Sequence, residues 1–483
     1  MSKKYSGMSV SDFISESKKG NIDTLNFYGA FFSEIEKLQK KYNYFVTISQ
    51  DSAMEQLKKL PKGALTNIPI SVKDNICTKG IRTTAGSKIL ESYVPPFDAT
   101  CIERAKKEGG VIIGKTVQDE FGFGTFSVNS AYGIPKNPID IQRSCGGSSG
   151  GAGGITAALE FPHIAIAEST GGSISAPAAF CGVYGLTPTY GRVSRYGLID
   201  YASSLDKIGV MAKKVDDIAL GLSVIAGHDA KDSTSLAEKV DDFQMKSEKL
   251  GASETKRDDY SLKTDLRKII IGVPREFFGS EINEDIKKVV WTQIKTLESE
   301  GAKVEECSLP NTEFSIPAYY IIAMAEASTN LAKFCGIRYG ATLPLEGEFN
   351  EYFSKVRGKY LGEEAKRRII LGTYARMAGY RDKYYLKAMK VRQLIINDYK
   401  QAFKKYDILV SPTMPFIAPK FSEIEKLTPI EHYYADILTG SPNLAGIPML
   451  SAPCGTSKGM PVGIHILGNY LAEKTILNVG RHI

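Results

Sequence analysis

The 483-residue sequence predicts an α/β fold built as one large domain. Three observations carry that reading. Strand-like and helix-like segments alternate along the chain. The composition, 43% hydrophobic and 24% charged, is that of an ordinary globular protein. No internal repeat and no composition-shifted linker divides the chain, although its length would allow two or three domains.

The elements follow in order. "NIDTLNFYGAFFSEIEKLQKK" spaces Phe27, Phe31, Ile35 and Leu38 at helical intervals behind the candidate cap Asp23, so residues 1–60 read as an N-terminal helical part. "NIPISVKDNI" is a buried strand, Ile68 to Val72, that runs into Lys73 and Asp74. "FDATCIERAKKEGG" is a short helix with Asp98 as candidate N-cap and Gly109 as stop, and "VIIGKT" is the next strand. "AGGITAALEFPHIAIA" is a small-residue helix followed by a strand. A polar stretch over 229–264, poor in large apolar residues, reads as a surface excursion. "KIIIGVP" resumes as a strand. Residues 366–407 then form one or two long helices, broken near Gly372 or Gly379, and "ILVSP", "MLSAP" and "VGIHILG" supply late strands.

Composition excludes several function classes. A net charge of +7, from 61 basic and 54 acidic residues, is too dilute over this length to argue for nucleic-acid binding. No apolar run approaches a membrane span, and "MSKKYSGMSVSDF" has no apolar signal-peptide core. The seven cysteines are scattered, odd in number and without a CxxC pair, which predicts a reducing, cytoplasmic setting and no zinc or other metal ligand set. The 45 glycines, a mild excess, point to tight turns and close backbone approaches of the kind that carry a site.

Two motif matches fail on local physics. "GGVIIGKT" fits the G-x-x-x-x-G-K-[ST] phosphate loop, but Val111, Ile112 and Ile113 fill the supposed loop with strand formers. "GGSSG" fits the G-x-S-x-G elbow, but "DIQRSC" is a poor buried strand, and none of the five histidines has the context of a triad base. With histidine set aside, carboxylates and lysine remain as bases. Lys73, at the end of an apolar strand, is the outstanding one, beside the bland reading of a lysine snorkelling from a strand end. The Gly/Ser clusters "GGSSGG" and "TGGS" flank the small-residue helix and strand. In the second, successive amides from Thr170 to Ser173 could converge on one oxygen, as an oxyanion hole requires.

"PISVKDNI", "CGGSSGG" and "ESTGGSISAPAAFCGVYGLTPTYGRVSRYGL" together resemble the amidase signature family. The resemblance implies a mixed central β-sheet covered by helices on both faces, and a Ser–cis-Ser–Lys triad. It places the nucleophile on Ser173, the bridging serine after a cis peptide bond on Ser148, the base on Lys73, and the oxyanion donors on Thr170, Gly171 and Gly172. "KGIRTTAGSKIL", "NSAYGIPKNP", "YASSLDKIG", "RRIILGTYARMAGYRDKYY" and "SPNLAGIP" narrow it to the glutamine-hydrolysing A subunits of tRNA-dependent amidotransferases. That branch implies glutaminase chemistry, the amidohydrolase half of glutamine-dependent glutaminyl-tRNA synthesis. Ammonia would pass to a B subunit that uses ATP and Mg to amidate glutamyl-tRNA(Gln) or aspartyl-tRNA(Asn). A small C subunit would complete the assembly, with no cofactor in this chain. The branch places the glutamine carboxylate on Arg368, with Arg367 as the neighbouring alternative, and the α-amino group on Asp436. A stand-alone amidase acting on another carboxamide is the runner-up, and a catalytically dead scaffold the third reading. The sequence departs from the family pattern in three ways. Ser169 stands where an aspartate usually precedes "TGGS", with Glu168 one place earlier. Ser175 and Ala176 replace an arginine and a glutamine. The two serine clusters lie one residue further apart.

Overall fold

The structure is a computed structural model that describes residues 5–243 and 265–483. Its centre is a mixed sheet of eleven strands: β1 (Phe45–Ile48), β2 (Pro69–Lys73), β3 (Val111–Thr116), β4 (Ile164–Ser169), β5 (Tyr184–Thr187), β6 (Lys207–Ala212), β7 (Ile270–Pro274), β8 (Lys303–Cys307), β9 (Ile408–Pro412), β10 (Met449–Ser457) and β11 (Met460–Gly468). Their spatial order is β1-β3-β2-β4-β6-β5-β10-β11-β9-β7-β8. β3, β2 and β4 run parallel, as do β9, β7 and β8, and the pairings in between are antiparallel. β2, β3 and β4 are buried along their whole length, which is why they read as continuous apolar runs rather than as alternating ones.

Helices cover both faces. A Cβ on Gly463 of β11 would meet Ala179 of helix Ser175–Cys181, on the face that also carries Ser451 of β10. Leu450, pointing the other way, meets Gly480 of helix Glu473–Gly480.

The N-terminal segment is helical at Val10–Lys18, Thr24–Tyr42 and Gln50–Leu57, but it also contains β1, which pairs antiparallel with β3 and so belongs to the same sheet. Asp23 caps its helix, accepting the Asn26 N–H at 3.1 Å. Asp98 does not cap helix Thr100–Lys107. The N-cap is Ala99, and the Asp98 carboxylate instead takes the Lys79 N–H and the Lys106 ammonium, each at 2.8 Å. Gly109, at φ +85°, does end that turn of chain. The supposed phosphate loop is β3 itself, with Lys115 buried and donating to the Ile76 carbonyl and, at 2.9 Å, to Thr83. Of the polar stretch 229–264, residues 229–243 fold against the domain, where Asp229 accepts from Thr100 and Ser194. Residues 244–264 lie outside those described.

Of the two glycines in the C-terminal helical region, Gly379 marks the break, between helix Glu363–Arg376 and helix Lys387–Ala402. Gly372 lies inside the first helix, where a Cβ would collide with the Met324 carbonyl of helix Ser315–Asn330. Its missing side chain permits a close helix crossing. That crossing brings Tyr319, Tyr320 and Arg368 to the carboxyl end of the parallel strands.

Candidate active site

β2 and β4 are parallel neighbours, so both deliver their C-terminal residues to one edge of the sheet, where α/β folds place their sites. β2 ends in Lys73, and β4 ends in Glu168 and Ser169 just ahead of Thr170-Gly171-Gly172-Ser173. Lys73 is fully buried and donates three hydrogen bonds of 2.8 Å, to Ser148 Oγ, to the Glu168 carbonyl and to Glu168 Oε2. Ser148, also fully buried, follows a cis Gly147–Ser148 peptide bond. Its neighbour Ser149 donates an N–H to the Ser173 carbonyl at 3.3 Å, which fixes the two serine segments side by side. Ser173 is buried but for 5% of its surface. The snorkelling reading of Lys73 therefore fails, because its ammonium end lies in the interior among polar partners.

The "TGGS" turn is pinned from behind. Asn443 donates to the Gly171 carbonyl, and the Gly172 carbonyl accepts the Ala176 N–H at 2.8 Å. In a planar trans peptide the N–H points opposite to the C=O. The amides of Gly172 and Ser173 are thereby turned to the other side of the turn. Side chains would not fit here: a Cβ on Gly171 would meet the Tyr319 hydroxyl, and one on Gly172 would meet Thr439. The Thr170 side chain is engaged separately, its hydroxyl 2.8 Å from both Glu168 Oε1 and Asp206 Oδ1.

A second cluster lies on the helical side. Arg368 is buried, while Arg367 is 43% exposed and paired with Glu364 on the surface. The Arg368 guanidinium donates to Glu364 Oε1 at 2.7 Å and to the Tyr201 hydroxyl at 2.8 Å. It sits 5.2 to 5.7 Å from the ring centres of Phe123, Tyr201, Tyr320 and Tyr433, a cation held among four aromatic faces. Asp436 is buried and accepts from the Tyr320 hydroxyl at 2.6 Å and from Thr125 at 3.2 Å. Burial raises its pKa above the ordinary aspartate value, against the pull of Tyr320, Arg368 and Thr125. Tyr320 joins the two charges, with its hydroxyl on Asp436 and its ring under Arg368. A cavity of about 320 Å³ opens over Arg368, Thr125, Gly124, Glu364 and Tyr433, and the serines and Lys73 are not among its lining residues.

Sequence reasoning missed Glu168 as a partner of Lys73, together with Asn75, which donates to the same oxygen at 3.0 Å. The signal was present: a carboxylate on a wholly apolar strand must be paired, and the adjacent strand ends in a lysine. Tyr201, Tyr320 and Asn443 had no local signal. Among the histidines, His432 lines the cavity over Arg368, while His163 bonds Ser71, His465 bonds Ser175, and burial pushes the pKa of both of these rings down to about 3. At the first departure from the family pattern, the Ser169 hydroxyl is buried with no hydrogen-bond partner among the described residues.

A buried lysine bonded to a serine that follows a cis peptide thus lies beside a serine on a glycine turn, at the carboxyl edge of a mixed sheet, and the chain belongs to the Amidase family, a family of amide hydrolases, whose model matches residues 28–477. Among particular proteins, it is 45% identical over 461 residues to the A subunit of glutamyl-tRNA(Gln) amidotransferase from Halothermothrix orenii, covering 95% of this chain and 93% of that one. It is 47% identical over 449 residues to its counterpart from Methanococcoides burtonii, covering 92% and 90%. The crystal structure of the Thermotoga maritima counterpart superposes with a TM-score of 0.79 at 33% identity, covering 98% of this chain and 93% of that one. A bacterial aryl acylamidase, at 20% identity and a TM-score of 0.82, shares the fold.

Proposed function

We propose that this chain is the glutamine-hydrolysing component of a tRNA-dependent amidotransferase. The observation that carries the chemistry is the Lys73 Nζ to Ser148 Oγ hydrogen bond of 2.8 Å, beside the segment bearing Ser173. Near-full-length identity to the A subunits of amidotransferases supports the role. The charge pair Arg368 and Asp436, in one aromatic-walled cluster, supports a free amino acid as substrate.

Neutral Lys73 takes the proton of Ser148 as Ser148 takes that of Ser173, and Ser173 Oγ attacks the carboxamide carbon of glutamine. The backbone amides of the Thr170-Gly171-Gly172-Ser173 turn, those of Gly172 and Ser173 facing away from their pinned carbonyls, hold the oxyanion. Collapse breaks the C–N bond, and the proton returns through Ser148 to the departing ammonia. Water, activated by the same base, then releases glutamate from Ser173. Arg368 exchanges its bond to Glu364 for the substrate α-carboxylate, and Asp436 receives the α-ammonium. A hydrophobic amide would need neither charge, which disfavours a stand-alone amidase of broad substrate range. Ammonia passes to a B subunit that uses ATP and Mg to amidate glutamyl-tRNA(Gln) or aspartyl-tRNA(Asn), with a small C subunit completing the assembly. The setting is the cytoplasm. Among the described residues no helix is long and apolar enough to cross a membrane.

Affinity purification of the full chain from its own cells tests the assignment. A co-purifying partner with tRNA-dependent kinase activity is expected, together with ammonia release from glutamine. A chain isolated alone that hydrolyses many amides but not glutamine would overturn it.

A further inference from the structure

Behind Lys73 the structure holds more acid groups than the triad uses. Glu168 Oε2 faces Lys73, Glu168 Oε1 lies 2.8 Å from Thr170 Oγ1, and Thr170 Oγ1 lies 2.8 Å from Asp206 Oδ1. All four side chains are buried. A threonine hydroxyl carries one hydrogen and can donate it to one of the two carboxyls only. The other contact is repulsive unless that carboxyl brings a proton of its own. The array therefore holds one proton beyond the hydroxyl hydrogen.

We propose that Glu168, Thr170 and Asp206 form a proton relay that moves negative charge to and from the side of Lys73, and so sets when the base is neutral. In one arrangement Asp206 is protonated and donates to Thr170, which donates to the ionised Glu168 beside a Lys73 ammonium. In the other, the Asp206 O–H gives its proton to Thr170 Oγ1 while Thr170 gives its own to Glu168 Oε1. One proton has moved from Asp206 to Glu168, one negative charge has moved the opposite way, and nothing is oxidised or reduced. Asp206 is built to take that charge: the N–H groups of Tyr201 and Ala202 donate to it at 2.9 to 3.0 Å. It is built to keep a proton as well, since burial and then the nearby Glu168 raise its pKa well above the aspartate value. With Glu168 neutral, the Lys73 ammonium has lost its counter-charge and releases a proton to solvent more readily, and the resulting amine accepts the Ser148 proton, which an ammonium cannot do. Glu168 and Asp206 are positioning residues that act through Lys73.

Three other charged groups face the array. Asp119, from the segment after β3, is pushed up to about 7 by burial, with Lys73 among the groups opposing that rise. Asp200, ahead of β6, is paired with Lys333 at 2.9 Å. Arg368, on the facing helix, bonds Tyr201. All three are the same in every variant below, so they cannot produce shifts of opposite sign.

The inference rests on the proposed triad, and its test separates it from the proposed substrate. In the full chain, two rates are followed against pH: ammonia release from glutamine, and covalent labelling of Ser173 by phenylmethanesulfonyl fluoride, with Ser173→Ala as the blank. Glu168→Gln removes the charge beside the base and is expected to move the acidic limb of both profiles to lower pH, by about one unit. Asp206→Asn strands the charge on Glu168 and is expected to move it to higher pH by a similar amount. If Asp206→Asn does not fold, Thr170→Val cuts the same link and gives the same alkaline shift. Opposite shifts in labelling without any glutamine turnover support the relay and overturn the substrate. Limbs that stay in place, with only the plateau lowered, or that shift in the same direction in both variants, overturn the relay.

Discussion

The two ends of the proposed site, chemical and recognition, are built by different means. The chemical end comes from strand termini and glycine turns: Lys73 closing β2, Ser148 ahead of helix Gly150–Ala158, and Ser173 on a turn with no room for side chains. The recognition end comes from side chains on separate helices and loops. Arg368 is on one, Tyr320 on another, and Asp436, Phe123 and Tyr201 come from connecting segments. The first depends on backbone placement, which short contiguous motifs encode. The second depends on how distant helices cross, as at Gly372 against Met324. Damage to the first should therefore stop the chemistry, and damage to the second should loosen the substrate while leaving the chemistry largely intact.

The largest effect expected is at the chemical end. Ser173→Ala should lower kcat for ammonia release by about 10⁴-fold or more, read in a coupled glutamate assay. Lys73→Ala should do the same and also destabilise the fold. It leaves the buried Glu168 carboxylate without its counter-ion, held only by Asn75 and Thr170, at a cost of about 3–5 kcal/mol in denaturant unfolding. Full activity in either variant would break the comparison at its root.

At the recognition end, Arg368→Ala should raise the glutamine KM about 100-fold with a smaller fall in kcat. A loss confined to kcat would move Arg368 into the chemical half. Asp436→Asn should raise KM by about tenfold and change its pH dependence. Because burial raises the Asp436 pKa, the carboxylate needed for the α-ammonium disappears as pH falls through that raised value. Wild-type KM should climb on the acid side, and the Asn variant should lack that climb.

The smallest effect concerns stability alone. Burial raises the pKa of Asp119 from 3.8 to about 7, so its folded form keeps a proton that the unfolded chain has lost. Its contribution is fully present below the unfolded value and is lost as pH rises through about 7. The Tm difference between Asp119→Asn and wild type should therefore shift in favour of the variant from pH ~4 to ~7, as followed by thermal melts across that range.

The same contrast explains what the sequence revealed. The α/β alternation, the β2 and β3 strands and all three late strands were legible because buried strands leave unbroken apolar runs. Lys73 stood out as the polar end of an apolar strand and the glycine clusters marked the two serine segments, whereas the roles given to Lys73, Ser148 and Ser173 came from the resemblance to the amidase signature family. Asp98 misled because a polar residue before a helix looks the same whether it binds the helix or, as here, Lys106 and the Lys79 amide. Gly372 and Gly379 were indistinguishable because a helix-crossing glycine and a helix-ending one share one letter. Glu168 was visible but unassigned. The family pattern carries its acid one residue later and an arginine at position 175, whereas here both places are serine and the carboxylate has moved onto Lys73.

The central claim is that Ser173 is the nucleophile, served by Lys73 through Ser148. Acid quench of the full chain during turnover with glutamine, followed by peptide mass mapping, tests it most directly. The account predicts a γ-glutamyl ester on Ser173 that is absent from Lys73→Ala. An ester on Ser148, or turnover with both serines unmodified, would contradict it.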